Sequence, residues 1–150
     1  MIPSIKIDES AWDNKEFDWM GKSFYYVTFP CIFSNPIGLI GKLEQISRDA
    51  RQSGYKIIGK MVLVEIGSFG GQAMIEVEKL DRYDANVINF DEKTTVLTVV
   101  YRGSPGKLSA GFKKLKEMVA SRKGMAPRKI MYAYTPVAAS SYKTVLFALT

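Results

Sequence analysis

The sequence predicts an α+β fold built from two strand–helix–strand–strand repeats, because apolar positions recur about 69 residues apart. These positions are Leu39, Leu43, Ile46 and Ala50 in the first half, and Leu108, Phe112, Leu115 and Val119 in the second. A proline precedes each predicted helix, and a glycine and a β-rich stretch follow it. Any two amphipathic helices share this spacing, so the order of the elements carries the argument. We therefore expect one unit used twice, with a cleft between the copies.

The repeat divides the chain into four segments. They are an arm at 1–22, repeat one at 23–80, a connector at 81–93 and repeat two at 94–150. We expect 23–150 to form a single domain. The arm holds Trp12, Phe17 and Trp19 among acidic residues. Because a Trp buries a large area, we expect the indole rings to pack over an open end of the domain, and the alternative is a lid on the cleft.

The individual elements follow from β-branched runs, turn residues and helix caps. We expect strands at 24–33, 60–66, 73–80, 94–101, 130–134 and 143–149, and a second helix at 107–123. The connector can add a short strand near Val87 and Ile88. We expect the first helix to start within Ser34-Asn35-Pro36, which supplies an N-cap candidate followed by the proline preferred in the first helical turn. It should run to about residue 53, before a glycine ends it.

Composition excludes several classes of function. The 150 residues are 47% hydrophobic with a net charge of +6, and they include one Cys and no His. A zinc site needs several Cys or His ligands and a histidine-based catalytic triad needs a His, and this chain lacks both. We therefore expect no metal and no cofactor. No stretch suits a spanning helix and the N-terminus is too polar for a secretory signal, which predicts a cytoplasmic protein without membrane association.

The positions of the basic residues indicate a solvated helix face and not a nucleic-acid interface. Lys113, Lys114 and Lys116 fall opposite Phe112 and Leu115 on the second predicted helix. No helix-turn-helix pattern accompanies them, so we expect no direct DNA binding. Cys31 is expected to be a small buried residue, since no histidine is present to activate it.

The second half resembles the GyrI-like effector-binding superfamily, the small-molecule-sensing domain of many bacterial transcription activators. The resemblance rests on 99–105, which is similar to the family's strand followed by an Arg/Lys-Gly-Pro turn, on Leu115 in the helix, and on the tyrosine strand at 132–136. The family has two strand–helix–strand–strand units, so the resemblance extends over about 23–150. It implies a pseudo-symmetric antiparallel sheet with two helices on one face and a groove between the repeats.

The resemblance also implies a ligand site in that groove, where aromatic side chains and buried carboxylates hold cationic, lipophilic ligands. Carried onto this chain, it selects Glu76 and Tyr132. The chain departs from the family at Ile130 and at 144–147, where two acidic residues of the second repeat are missing. We therefore expect a neutral, flat or aromatic ligand.

The residues themselves add further candidates. Glu65 stands among apolar neighbours, and a buried carboxylate needs a partner or a raised pKa. Tyr132 and Tyr134 share one strand face, which either lines a cleft or packs in the core. The remaining candidates are Tyr25, Tyr101 and Phe147. For Glu76 the alternative interpretation is a solvated strand face.

These features predict a stand-alone small-molecule-binding domain that senses or sequesters a ligand. The first alternative is a hydrolase of electrophilic compounds, in which Glu65 or Glu76 works with Tyr132 as general acid and base. The second is an interaction or inhibitor module that uses the basic second helix to bind a protein partner. A homodimer is also open, through the exposed edge at 24–33. Of these classes, binding without catalysis is favoured because conventional catalytic residues are absent.

Overall fold

The computed structural model describes residues 6–136 and 142–150. These residues form a mixed α+β fold with antiparallel strand pairing, which confirms the predicted fold class at that level. The elements in chain order are α1 (Glu9–Trp12), β1 (Lys15–Asp18), β2 (Ser23–Ile32), β3 (Asn35–Pro36), α2 (Leu39–Gln52), β4 (Ile57–Ile66), β5 (Gly70–Val77), β6 (Val87–Asn89), β7 (Thr95–Arg102), α3 (Leu108–Lys123), β8 (Lys129–Ala133) and β9 (Lys143–Leu149). A single 3₁₀ turn at Pro105–Lys107 leads into α3.

The chain divides into two compact units. The first unit is Met20–Glu92, and the second unit combines 6–19 with 93–136 and 142–150. None of the helices in the described part of the chain combines the length and the apolar composition needed to cross a membrane.

In the first unit, β5 lies between β4 and β2, and both pairings are antiparallel. The far side of β2 pairs with β6 at Ser23 and with β3 at Cys31. Helix α2 packs on this sheet through a buried stripe of Leu43, Ile46 and Ala50. Cys31 is buried, as expected for a cysteine that serves as a small apolar residue.

The predicted start of the first helix is wrong. Instead of opening a helix, Asn35 and Pro36 form β3, in which Cys31 pairs with Pro36 and Ile32 with Asn35. The two residues between them, Phe33 and Ser34, both have positive φ, at 48° and 67°. Two such residues make the tight turn that joins adjacent antiparallel strands, so this segment closes a hairpin. The helix begins three residues later, after Gly38 in the left-handed region.

In the second unit, β9 lies between β7 and β8, and β1 pairs with the outer edge of β7. Helix α3 covers one face of the sheet. Its Leu115 and Val119 are fully buried against Leu97, Leu146 and Ala148. The lysines at 113, 114 and 116 are exposed, as the helix periodicity predicts.

The other face of this sheet is covered by the arm. Phe147 lies with its ring centroid 5.6 Å from that of Trp12 and 6.0 Å from that of Trp19. Thr98 donates its hydroxyl to the carbonyl of Trp12 at 2.6 Å, and Phe17 pairs with Val96 across β1 and β7. The arm is therefore part of the second unit, as a short helix and an edge strand.

Phe147 should be one of the residues on which stability depends most. Removing its ring in Phe147→Ala empties a space between two indoles, and such truncations cost about 3–5 kcal/mol. The matched control is Tyr83→Ala, because the Tyr83 side chain is 93% exposed and its loss should cost less than about 0.5 kcal/mol. Denaturant unfolding followed by tryptophan fluorescence measures both changes. Equal midpoints for the two variants would contradict the packing described above.

Candidate functional site

A cleft of about 510 Å³ opens in the second unit between α3 and the end of β7. Its apolar wall comes from the sheet and the helix, and its polar rim comes from both of these and from the arm. The wall comprises Val99, Val100, Tyr101, Ala110, Gly111, Met118 and Leu146, and the rim comprises Glu9, Asp13, Arg102 and Lys114. The volume falls in the range of small-molecule sites, and the lining combines a mostly apolar wall with a few polar groups, as such sites do.

Gly111 brings α3 close to the sheet at the floor of the cleft. A Cβ at this position would lie 2.7 Å from Cδ1 of Tyr101 and 2.9 Å from Cδ1 of Leu146. Such distances are far below van der Waals contact, so only glycine fits without displacing a neighbour. The tyrosine ring and the helix backbone are consequently in direct contact.

The Tyr101 ring is held in position from two sides. Its hydroxyl donates to the carbonyl of Ser104 at 2.7 Å, within the turn that leads to α3. Its ring also contacts that of Tyr142 edge to face, with 6.3 Å between centroids and 65° between the ring planes. Burial raises the pKa of Tyr142 above its ordinary value. The aromatic wall of the cleft is therefore preorganised.

The rim is held by charge pairing and by an edge cap. Arg102 donates to both carboxylate oxygens of Glu9, from Nε to Oε1 at 2.6 Å and from Nη2 to Oε2. This hydrogen bonding lowers the pKa of Glu9 and raises that of Arg102. Asp13 accepts a hydrogen bond from the backbone N–H of Val100 at 2.9 Å, just beyond the point where β1 stops pairing with β7. With Lys114, the rim carries two negative and two positive side chains.

Among the residues predicted for the site, Tyr101 lines this cleft. Tyr132 lies on the same sheet face and packs in the helix-side core, with its ring centroid 6.4 Å from that of Phe112. Tyr134 follows β8 and is half-buried. Phe147 lies on the opposite face and is only 2% exposed, so the structure does not bring it together with these tyrosines.

The other three predicted residues belong to the first unit. Glu65 accepts a hydrogen bond from Nε2 of Gln72 at 3.1 Å, in a shallow depression of about 570 Å³ that also includes Lys42. Glu76 pairs with Nζ of Lys22 at 2.9 Å and is partly buried. Tyr25 is a core residue, 6% exposed, whose ring centroid lies 5.8 Å from that of Tyr55. The two carboxylates lie on one sheet face, each with its own partner.

Sequence reasoning missed most of the cleft residues. Glu9 and Arg102 are 93 positions apart, so no local pattern links them. Gly111 was overlooked because a glycine inside a helix gives no signal of what it approaches. The acidic composition of the arm indicates a basic partner, but it does not identify Arg102.

Comparison with known proteins adds no relative, because no family model, curated protein or solved structure matches the chain.

The ion pair with Arg102 should make the Glu9 carboxyl titrate below its ordinary pKa. Because folding lowers the pKa of Glu9 below its ordinary value of 4.5, the pair stabilises the fold above that pH and the contribution is lost as the pH falls through the lowered pKa. In Arg102→Gln the Glu9 pKa should return toward its ordinary value. NMR titration of the side-chain carboxyl carbon measures this.

The control is Lys114→Gln, which removes another cation of the same rim, whereas the side-chain hydrogen bonds to Glu9 come from Arg102. It should leave the Glu9 pKa nearly unchanged. If Glu9 titrates at its ordinary pKa in the wild-type protein, or identically in all three proteins, the ion pair is absent in solution.

Proposed function

We propose that this protein binds a small, flat, neutral aromatic or lipophilic ligand, and that the cleft between α3 and β7 is the site. The observation that carries the proposal is a preorganised tyrosine ring in an apolar cleft whose rim charges are balanced. A ring face and aliphatic neighbours favour a planar apolar partner, which buries area without losing hydrogen bonds. Sensing or sequestering such a compound is the corresponding activity.

Charge balance at the rim supports a neutral ligand over a cation. Glu9 is already neutralised by Arg102, and the Asp13 carboxylate accepts from a backbone N–H. A cation–π contact to Tyr101 alone contributes about 0.5–1 kcal/mol at an exposed site. Without a dedicated carboxylate, a positively charged ligand would gain little over its neutral analogue. This agrees with the missing acidic residues of the second half.

The order of elements in each unit supports the proposed relation to GyrI-like effector-binding domains. In the first unit β2 is followed by α2, β4 and β5, with the two-residue strand β3 between β2 and α2, and β5 lies in the middle of the sheet. In the second unit β7 is followed by α3, β8 and β9, with β9 in the middle. A shared order of this kind is what duplication of one strand–helix–strand–strand unit would leave. The groove between the repeats stays a prediction.

Filling the cleft should abolish binding. Ala110 lines the cleft at an exposed position of α3, so Ala110→Trp places an indole in the cleft without disturbing the core. A thermal-shift screen of neutral and cationic planar aromatics, followed by native mass spectrometry, should identify neutral compounds that stabilise the wild-type protein. At a hundredfold excess over Kd, stabilisation is about 2.7 kcal/mol. In Ala110→Trp the affinity should fall by at least about tenfold.

The matched control is Ser109→Trp, which adds the same side chain at the neighbouring exposed position outside the cleft lining. It should bind like the wild-type protein. Equal affinity for Ala110→Trp would move the site elsewhere, and a protein that responds to no compound of the panel would contradict ligand binding itself.

A further inference from the structure

Large apolar side chains are exposed together at one end of the first unit. Here the turn between β2 and β3, the turn between β4 and β5 and the start of α2 meet. Phe33 is 78% exposed and Phe69 is 74% exposed, while the three isoleucines nearby are 46–56% exposed. We call this set, Ile32, Phe33, Ile37, Ile40 and Phe69, the tip.

The tip is ordered by backbone hydrogen bonds. The N–H of Ser34 donates to the carbonyl of Ser68 at 2.9 Å, and that of Cys31 donates to the carbonyl of Phe69 at 3.0 Å. Ile37 donates in turn to the carbonyl of Pro30 at 2.8 Å. The two phenylalanine rings are thereby held side by side, with 6.1 Å between centroids. The structure thus presents them at fixed positions.

The turn that presents Phe33 is unfavourable for its residue type. Both central residues of this two-residue hairpin have positive φ, which is the geometry that strongly prefers Asn-Gly. A bulky residue in the left-handed region is an outlier that costs free energy, and such outliers concentrate at functional positions. Because the Phe33 ring is mostly exposed, burial within the described chain does not offset this cost.

We propose that the tip is the contact surface for a second copy of this chain, in an isologous dimer. The five side chains expose on the order of 600 Å² of apolar surface, given the size of aromatic and branched side chains. A standard interface needs about 800 Å² per partner, so the tip forms most of one.

Charge favours a second copy at this surface. The chain has a net charge of +6, so two copies repel each other wherever basic surfaces meet. Residues 23–41 and 66–75 contain no charged side chain, and Met20–Glu92 carries eight basic and nine acidic residues. The tip therefore brings no like charges together. A membrane is disfavoured as the partner. Segments that bind a membrane surface combine apolar residues with a basic polar face, and residues 23–47 contain a single basic side chain, that of Lys42.

The discriminating variant is Phe33→Asn combined with Ser34→Gly. It supplies the residues that this turn prefers while removing the exposed ring, so its thermal midpoint at low concentration should equal or exceed that of the wild-type protein. Sedimentation velocity over a wide concentration range should show the wild-type protein passing from monomer to dimer. The variant should dimerise at least about tenfold more weakly. Phe69→Ser should weaken the dimer similarly from a different loop.

The matched control is Tyr83→Ser, an exposed aromatic residue of the same unit outside the tip, and it should dimerise like the wild-type protein. A wild-type protein that stays monomeric at every concentration overturns the proposal. A dimer that persists in both tip variants also overturns it, since another surface would then carry the contact. Binding of a monomer to neutral or anionic lipid vesicles, lost in the tip variants, would assign the tip to a membrane instead.

Discussion

The second unit depends on a central strand that is buried on both faces. Every residue of β9 from Thr144 to Leu149 is buried, with α3 on one side and the indoles of Trp12 and Trp19 on the other. A strand in this position requires a continuous apolar run, and 145–149 supplies it. The arm is therefore a structural necessity, because without it Phe147 and its neighbours would face water.

The cleft follows from the different lengths of two paired strands. β1 pairs with β7 only as far as Thr98, while β7 continues to Arg102. Beyond that point the arm turns into α1 and contributes side chains in place of backbone, with Asp13 capping Val100 and Glu9 pairing with Arg102. On the inner side, Gly111 keeps α3 in contact with Tyr101. An apolar space with a paired, neutral rim is what remains.

The sequence predicts what depends on local periodicity. The bounds of β9 agree with the prediction residue for residue, and α3 differs by one residue, because both have dense apolar patterns. The predicted start of the first helix was wrong because two patterns compete there: Asn35 and Pro36 fit the start of a helix as well as an edge strand. The choice was made by the positive φ of Phe33 and Ser34, which no propensity for Phe predicts. Of the predicted site residues, Tyr101 lines the cleft, whereas its partners are distant in sequence.

The two units place their apolar residues differently. In the second unit the central strand is apolar on both faces and the arm covers the second face. In the first unit Gln72 and Glu76 of the central strand β5 share a face with Glu65, where each carboxylate has a polar partner, and Met74 between them is fully buried. At its turns the first unit also exposes phenylalanines. Exposed apolar residues at turns add nothing to a core, and here one of them also strains the backbone. The left-handed backbone of Phe33 and the exposure of its ring are best explained together by a contact outside the unit, because the contact with Phe69 leaves most of the ring exposed.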